Sequence, residues 1–141
     1  MPTEETCLSL RLGFSGAHRV RFSEVYGSVH GHNYDITVRF CVSGRRDLVI
    51  DIDRVRHEIE RLIDTLDGKY LKSSKEYIRD VGPNEYVEIP CIPEGVTGEC
   101  VAWYILDYVR NVLSGLGVDG VFNVQVIVCD SPINCFEARF S

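Results

Sequence analysis

The chain reads as an α+β domain: a four-stranded antiparallel sheet carrying two helices on one face, in the order ββααββ. Three observations predict it. Apolar residues alternate at period two near both ends of the chain, as in half-buried strands. They repeat at three and four in two central segments, as in amphipathic helices. The strands also come as sequence-adjacent pairs with the helices between them, which favours hairpins over crossovers.

The first strand is predicted over residues 7–18, where Leu8, Leu10, Leu12 and Phe14 share one parity and Ser9, Arg11, Gly13 and Ser15 the other. His18 extends the apolar parity. After a loop of about 11 residues, a length compatible with a long functional connection, "HNYDITVRFCV" alternates again, with Tyr34, Ile36, Val38 and Phe40 on one face and His30 and His32 on that same parity. The turn "SGRRD" and the short apolar run Leu48 to Ile50 follow. From Asp51, a helix is carried by Ile52, Val55, Ile59, Leu62, Ile63 and Leu66, with His57 on its polar side and without a role. Residues 68–96 lack a period and read as a long loop with a short extended piece at Tyr86 to Ile89. A second helix starts at the N-cap candidate Thr97, runs through Val101, Ile105, Val109 and Val112, and stops near Gly115 and Gly117. "VFNVQVIVCD" then points Phe122, Val124, Val126 and Val128 inward, with Asp130 next on that parity, and Phe136 to Phe140 closes the sheet.

With 141 residues, 45% of them apolar, the chain is expected to be one domain, 1–141, with a real core. No basic start leads into an apolar run, and no window approaches the roughly 20 apolar residues that a membrane helix needs. The expectation is a soluble, cytoplasmic protein that is not associated with a membrane. The net charge of -6 argues against general nucleic-acid binding, while a local cluster such as Arg19, Arg21 and Lys69 could still meet a small anion. Six scattered cysteines without a C-x-x-C pair are expected to be reduced thiols, not a disulfide frame.

If the first two strands pair as a hairpin, the end of one meets the start of the other and His18 lies beside His30 and His32. On a strand, H-x-H offers two imidazoles to one ion, and Gly31 leaves room for the backbone. Three imidazoles with an open position are the donor set of a catalytic Zn²⁺, although iron and other divalent metals also suit them.

The segments "FSGAH", "HGHNY", "LVIDIDRVR", the Leu66-Asp67 pair, "VTGE" and "CDS" occur in an order that resembles the 6-pyruvoyltetrahydropterin synthase and 6-carboxytetrahydropterin synthase family over about residues 10 to 140. The resemblance implies the tunnelling fold (T-fold), zinc on His18, His30 and His32, and a homohexamer of two stacked trimers with active sites between subunits. It implies that Thr97, Glu99 and Asp130 contact a pterin, Asp130 taking the place of a glutamate that accepts paired hydrogen bonds from the ring edge. Thr97 is equally an N-cap, and Glu99 equally a favourable charge at a helix start.

Two positions depart from the family pattern. The cysteine base four residues before the first histidine of H-G-H is Tyr26 here, and the histidine following the Leu-Asp pair, which the family's aspartate orients for catalysis, is Gly68, although that aspartate remains as Asp67. Glu24, Tyr26 and Cys91 are the candidates to supply the missing base, the first because some relatives use glutamate and cleave the side chain by a retro-aldol route. The expected activity is therefore zinc-dependent pterin side-chain lysis, acting on 7,8-dihydroneopterin triphosphate or a close relative. It would proceed by triphosphate elimination or by cleavage to 6-hydroxymethyl-dihydropterin, in queuosine or in folate and biopterin biosynthesis. The alternative is an oligomer that binds metal and pterin without turnover.

Overall fold

A computed structural model describes residues 3–20, 27–79 and 81–141, with the side chain of Phe122 also outside the described residues. Strands β1 (Glu5–His18) and β2 (His30–Ser43) are followed by helix α1 (Ile52–Leu66) and two short strands, β3 (Lys69–Lys72) and β4 (Tyr86–Glu88). Helix α2 (Gly98–Gly115) and strands β5 (Val121–Ser131) and β6 (Asn134–Phe140) complete the order.

The sheet has six described strands in the order β4-β3-β1-β2-β5-β6, not the four expected. It is also mixed: β3 runs parallel to β1, and β4 parallel to β3, whereas the β1-β2, β2-β5 and β5-β6 pairs are antiparallel. Both additional strands fall in the segment read as a loop. "KYLK" and "YVE" are too short to show alternation, and their partners lie far off in sequence, so no local turn announces them.

Alternation in β1 and β2 produces the expected two faces. Leu10, Phe14, Tyr34, Ile36, Val38 and Phe40 are buried, while Ser9, Arg11, Ser15, Asn33 and Asp35 are exposed. The buried face packs against Val55, Ile59, Leu62 and Leu66 of α1 and against Val101, Ile105 and Val109 of α2, and Val124, Val126 and Val128 of β5 extend the same core. His57 is exposed, as the helical period requires. The end of β1 meets the residue just before the α2 cap, through His18 and the Val96 carbonyl, and that junction carries the site.

The cysteines overturn the expectation of free thiols: Cys7–Cys41, Cys91–Cys100 and Cys129–Cys135 are disulfides, and no cysteine is free. Cys7 faces Cys41 directly across β1-β2, and Cys129 faces Cys135 across β5-β6. Directly opposed strand residues hold their Cβ atoms about 5 Å apart, so register brings together pairs that sequence spacing does not reveal. Among the described residues, no helix is long and apolar enough to cross a membrane.

Candidate metal centre and adjoining cleft

The β1-β2 ladder ends at the pair His18↔His30, with His32 opposite Gly16. All three imidazoles are on the parity that faces the helices, and one nitrogen of each lies within 4.8 Å of the others. Their ring centroids are 4.6, 5.0 and 4.8 Å apart. His18 is buried, whereas His30 and His32 are half-buried.

Backbone carbonyls settle the tautomers of two rings. His18 Nδ1 donates to the carbonyl of Val96 at 2.6 Å, and His30 Nδ1 donates to that of Ser28 at 2.7 Å. A neutral imidazole whose Nδ1 carries the proton presents a lone pair at Nε2, the arrangement in which the second nitrogen orients a metal ligand. The Nε2 atoms of His18 and His32 are buried and lack a hydrogen-bond partner among the described residues. Burial is the chief cause holding the His18 pKa below its ordinary value; the Val96 carbonyl pulls it upward, His30 and His32 lower it further, and Asp130 opposes them. Three converging nitrogen donors fit a divalent transition ion. The other grouping of donor side chains, Glu5, Cys7 and Cys41, has its two sulfurs in a disulfide and offers no thiolate.

Asp130, at the irregular end of β5, acts electrostatically on both His18 and Tyr34, and its Oδ1 is buried with no hydrogen-bond partner among the described residues. Tyr34 stacks on Phe14 at 4.8 Å and approaches the His32 ring at 5.5 Å. Its hydroxyl is likewise buried and unpartnered among the described residues, and burial, reinforced by Asp130, raises its pKa far above the ordinary phenol value. Tyr34 therefore remains a neutral donor. The alternation of β2 points it inward but gives no sign that its ring would lie beside His18 and His32.

The remaining predicted site residues are more dispersed. Thr97 is the N-cap of α2, its Oγ1 accepting from the Cys100 N–H at 3.3 Å. Glu99 is exposed in the first turn. Asp67, exposed at the C-cap of α1, accepts the Ser15 N–H at 2.9 Å and so ties the helix end to β1. Gly68 has φ +73°, and a side chain added there would meet nothing within 4 Å. Cys91 is removed from the candidate bases by its disulfide to Cys100. Glu24 and Tyr26, together with Arg21, lie outside the described residues.

A cleft of about 590 Å³ reaches His32, lined also by Gly16, Gly31, Gly68, Lys69 and Glu85. Lys69 donates to the Asn84 carbonyl at 2.7 Å. Arg19 is engaged elsewhere: its Nε lies 3.4 Å from Glu76, which also accepts from Tyr70 Oη and from the Ser73 N–H. These contacts compensate the burial of the Glu76 charge. The sequence reading missed this cluster because its members sit in a stretch without periodicity.

A family model for 6-pyruvoyl tetrahydropterin synthase matches residues 7–140. Among solved structures, the 6-pyruvoyltetrahydropterin synthase of Plasmodium vivax, in a variant whose catalytic glutamate is replaced by alanine, superposes with a TM-score of 0.77 at 20% identity, covering 96% of this chain and 98% of that one. The Plasmodium falciparum 6-pyruvoyl tetrahydropterin synthase gives 0.78 at 17% identity, with 96% and 97% coverage. The Caenorhabditis elegans protein of that name gives 0.60 at 22% identity, with 100% and 99% coverage. No curated protein matches the sequence.

Proposed function

Because the chain belongs to the 6-pyruvoyl tetrahydropterin synthase family, we propose that it is a zinc-dependent lyase of a pterin side chain, acting on 7,8-dihydroneopterin triphosphate or a close relative. The observation that carries this reading is the convergence of His18, His30 and His32, two of them fixed from behind by carbonyls. Zinc bound there supplies Lewis acidity toward side-chain oxygens and stabilises developing enolate charge.

The chain's own residues account for binding. Asp130 offers a buried carboxylate oxygen that can accept from an N–H edge of the pterin ring, so the cost of its burial is offset when the ring is present. Glu99, exposed in the first turn of α2, is the second carboxylate assigned to the ring, Thr97 fixes that start, and the neutral Tyr34 hydroxyl is a further donor to substrate oxygen. Asp67 holds the β1 backbone in place. The proton is moved by Glu24 or Tyr26; the catalytic glutamate of the Plasmodium vivax enzyme favours Glu24. The enzyme assembles as a hexamer of two trimers in the cytoplasm, binding neither nucleic acid nor membrane.

A second reading, a metal- and pterin-binding oligomer without turnover, is favoured by one observation. Asp67 is occupied by Ser15 and is followed by Gly68, so it has no imidazole to orient. Mass spectrometry of products from zinc-loaded protein incubated with dihydroneopterin triphosphate, and separately with dihydroneopterin, decides between them. A new pterin absent with His30→Ala supports the lyase, and its mass separates elimination from cleavage. Unchanged substrate with retained pterin binding selects the second reading.

A further inference from the structure

We propose that the Cys91–Cys100 disulfide is a positioning element of the histidine centre: it fixes the loop whose Val96 carbonyl orients His18, and its reduction weakens divalent-ion binding. This rests on reading the three histidines as a metal site.

The crosslink spans nine positions and closes the connection from the sheet edge into α2. Three consecutive residues inside it bear on the site. Gly95, at φ +125°, lies so close to the backbone just after β1 that an added Cβ would sit 2.0 Å from the Arg19 carbonyl oxygen, and its N–H donates to Ser73 Oγ at 3.0 Å. Val96, fully buried, accepts from His18 Nδ1. Thr97 caps the Cys100 N–H, and its Oγ1 lies 3.7 Å from Cys91 Sγ. The disulfide thus touches the helix cap, and the cap is adjacent to the carbonyl that sets the His18 tautomer.

A carbonyl orients an imidazole only as well as its own segment is held. With the crosslink open, the segment regains conformational freedom, and His18 samples ring orientations in which Nε2 no longer faces His30 and His32. Reduction is chemically simple. A dithiol delivers two electrons and two protons to the Sγ–Sγ bond, leaving two thiols and becoming a disulfide itself. Cys7–Cys41 is a natural comparison, because it lies at the opposite end of the β1-β2 ladder from the histidines.

Loss of a group that orients a metal ligand costs roughly 10–100-fold in affinity, and loosening it should fall near the lower figure. The test is Co²⁺ titration of the full chain, read from ligand-field absorption and from competition with a chromophoric chelator. C91S/C100S is expected to bind about tenfold more weakly than wild type and to surrender Co²⁺ faster, with C7S/C41S close to wild type. Unaltered affinity in C91S/C100S overturns the proposal, as does an equal loss in C7S/C41S. Should C91S/C100S fail to fold, wild type is reduced with a phosphine and desalted, opening of Cys91–Cys100 is mapped by alkylation and mass spectrometry, and retained affinity in the opened protein overturns it. A native protein lacking this disulfide also overturns it. Absence of Co²⁺ binding by oxidised wild type would instead sink the metal reading on which the proposal stands.

Discussion

His18 has little freedom: one ring nitrogen is tied to a backbone carbonyl, and the other is aimed at two further imidazoles. Removing His32 should therefore abolish stoichiometric zinc while leaving the sheet intact, since its half-buried ring contributes little to the core. Elemental analysis of purified His32→Ala beside circular dichroism checks this, and retained zinc would exclude the three-histidine site. Tyr34 leads to a different expectation. A buried hydroxyl without a partner costs about 1–3 kcal/mol, so Tyr34→Phe should be at least as stable as wild type in urea unfolding. A loss of more than about 1 kcal/mol would mean that the hydroxyl has a structural partner. At this scale alternation made the three imidazoles and Asp130 legible, because parity is a property of side chains. The carbonyls of Val96 and Ser28 were not legible, because every residue carries the same acceptor and only the fold chooses among them.

The start of α2 concentrates several constraints in a few residues. Thr97 supplies the cap, and Gly98 lies against Phe136 so closely that a Cβ would sit 2.0 Å from the ring. In an exposed helix interior, Gly→Ala usually stabilises by nearly 1 kcal/mol. Here the added methyl must displace Phe136, and overpacking of this kind costs about 1–3 kcal/mol, so Gly98→Ala should lower the unfolding midpoint. A higher midpoint in denaturant titration would show that β6 yields freely. The two helices were legible in the sequence because each repeats its apolar stripe over four turns or so. Strands β3 and β4 were not: four and three residues cannot display a period, and the parallel pairing of β3 to β1 depends on a partner that is remote in sequence. The cysteines failed for a related reason, since their pairing follows strand register and not local spacing.

For the molecule as a whole, the covalent frame is the main departure from expectation. Disulfides in intracellular proteins are characteristic of hyperthermophiles. If the cytoplasmic assignment is right, the oxidised protein should be unusually heat-resistant, with a Tm above about 80 °C that falls by several degrees on reduction. Scanning calorimetry with and without reductant measures both. An oxidised protein melting near 50 °C would instead favour an oxidising compartment. Sedimentation velocity tests the expected hexamer, and a lone monomer at micromolar concentration would remove the shared-site arrangement. The α+β class and the single covered face were readable from periodicity, whereas the sheet's full width became visible only once the chain was folded.

The β1-β2 ladder carries Cys7–Cys41 at one end and His18↔His30 at the other, the same number of residues apart on both strands. A slip of two residues would keep every apolar side chain on the inner face, so burial alone polices that error weakly. It would separate the two sulfurs and the two imidazoles together. The register that brings the sulfurs together at one end is thus the same register that gathers the histidines at the other, and the bond records it.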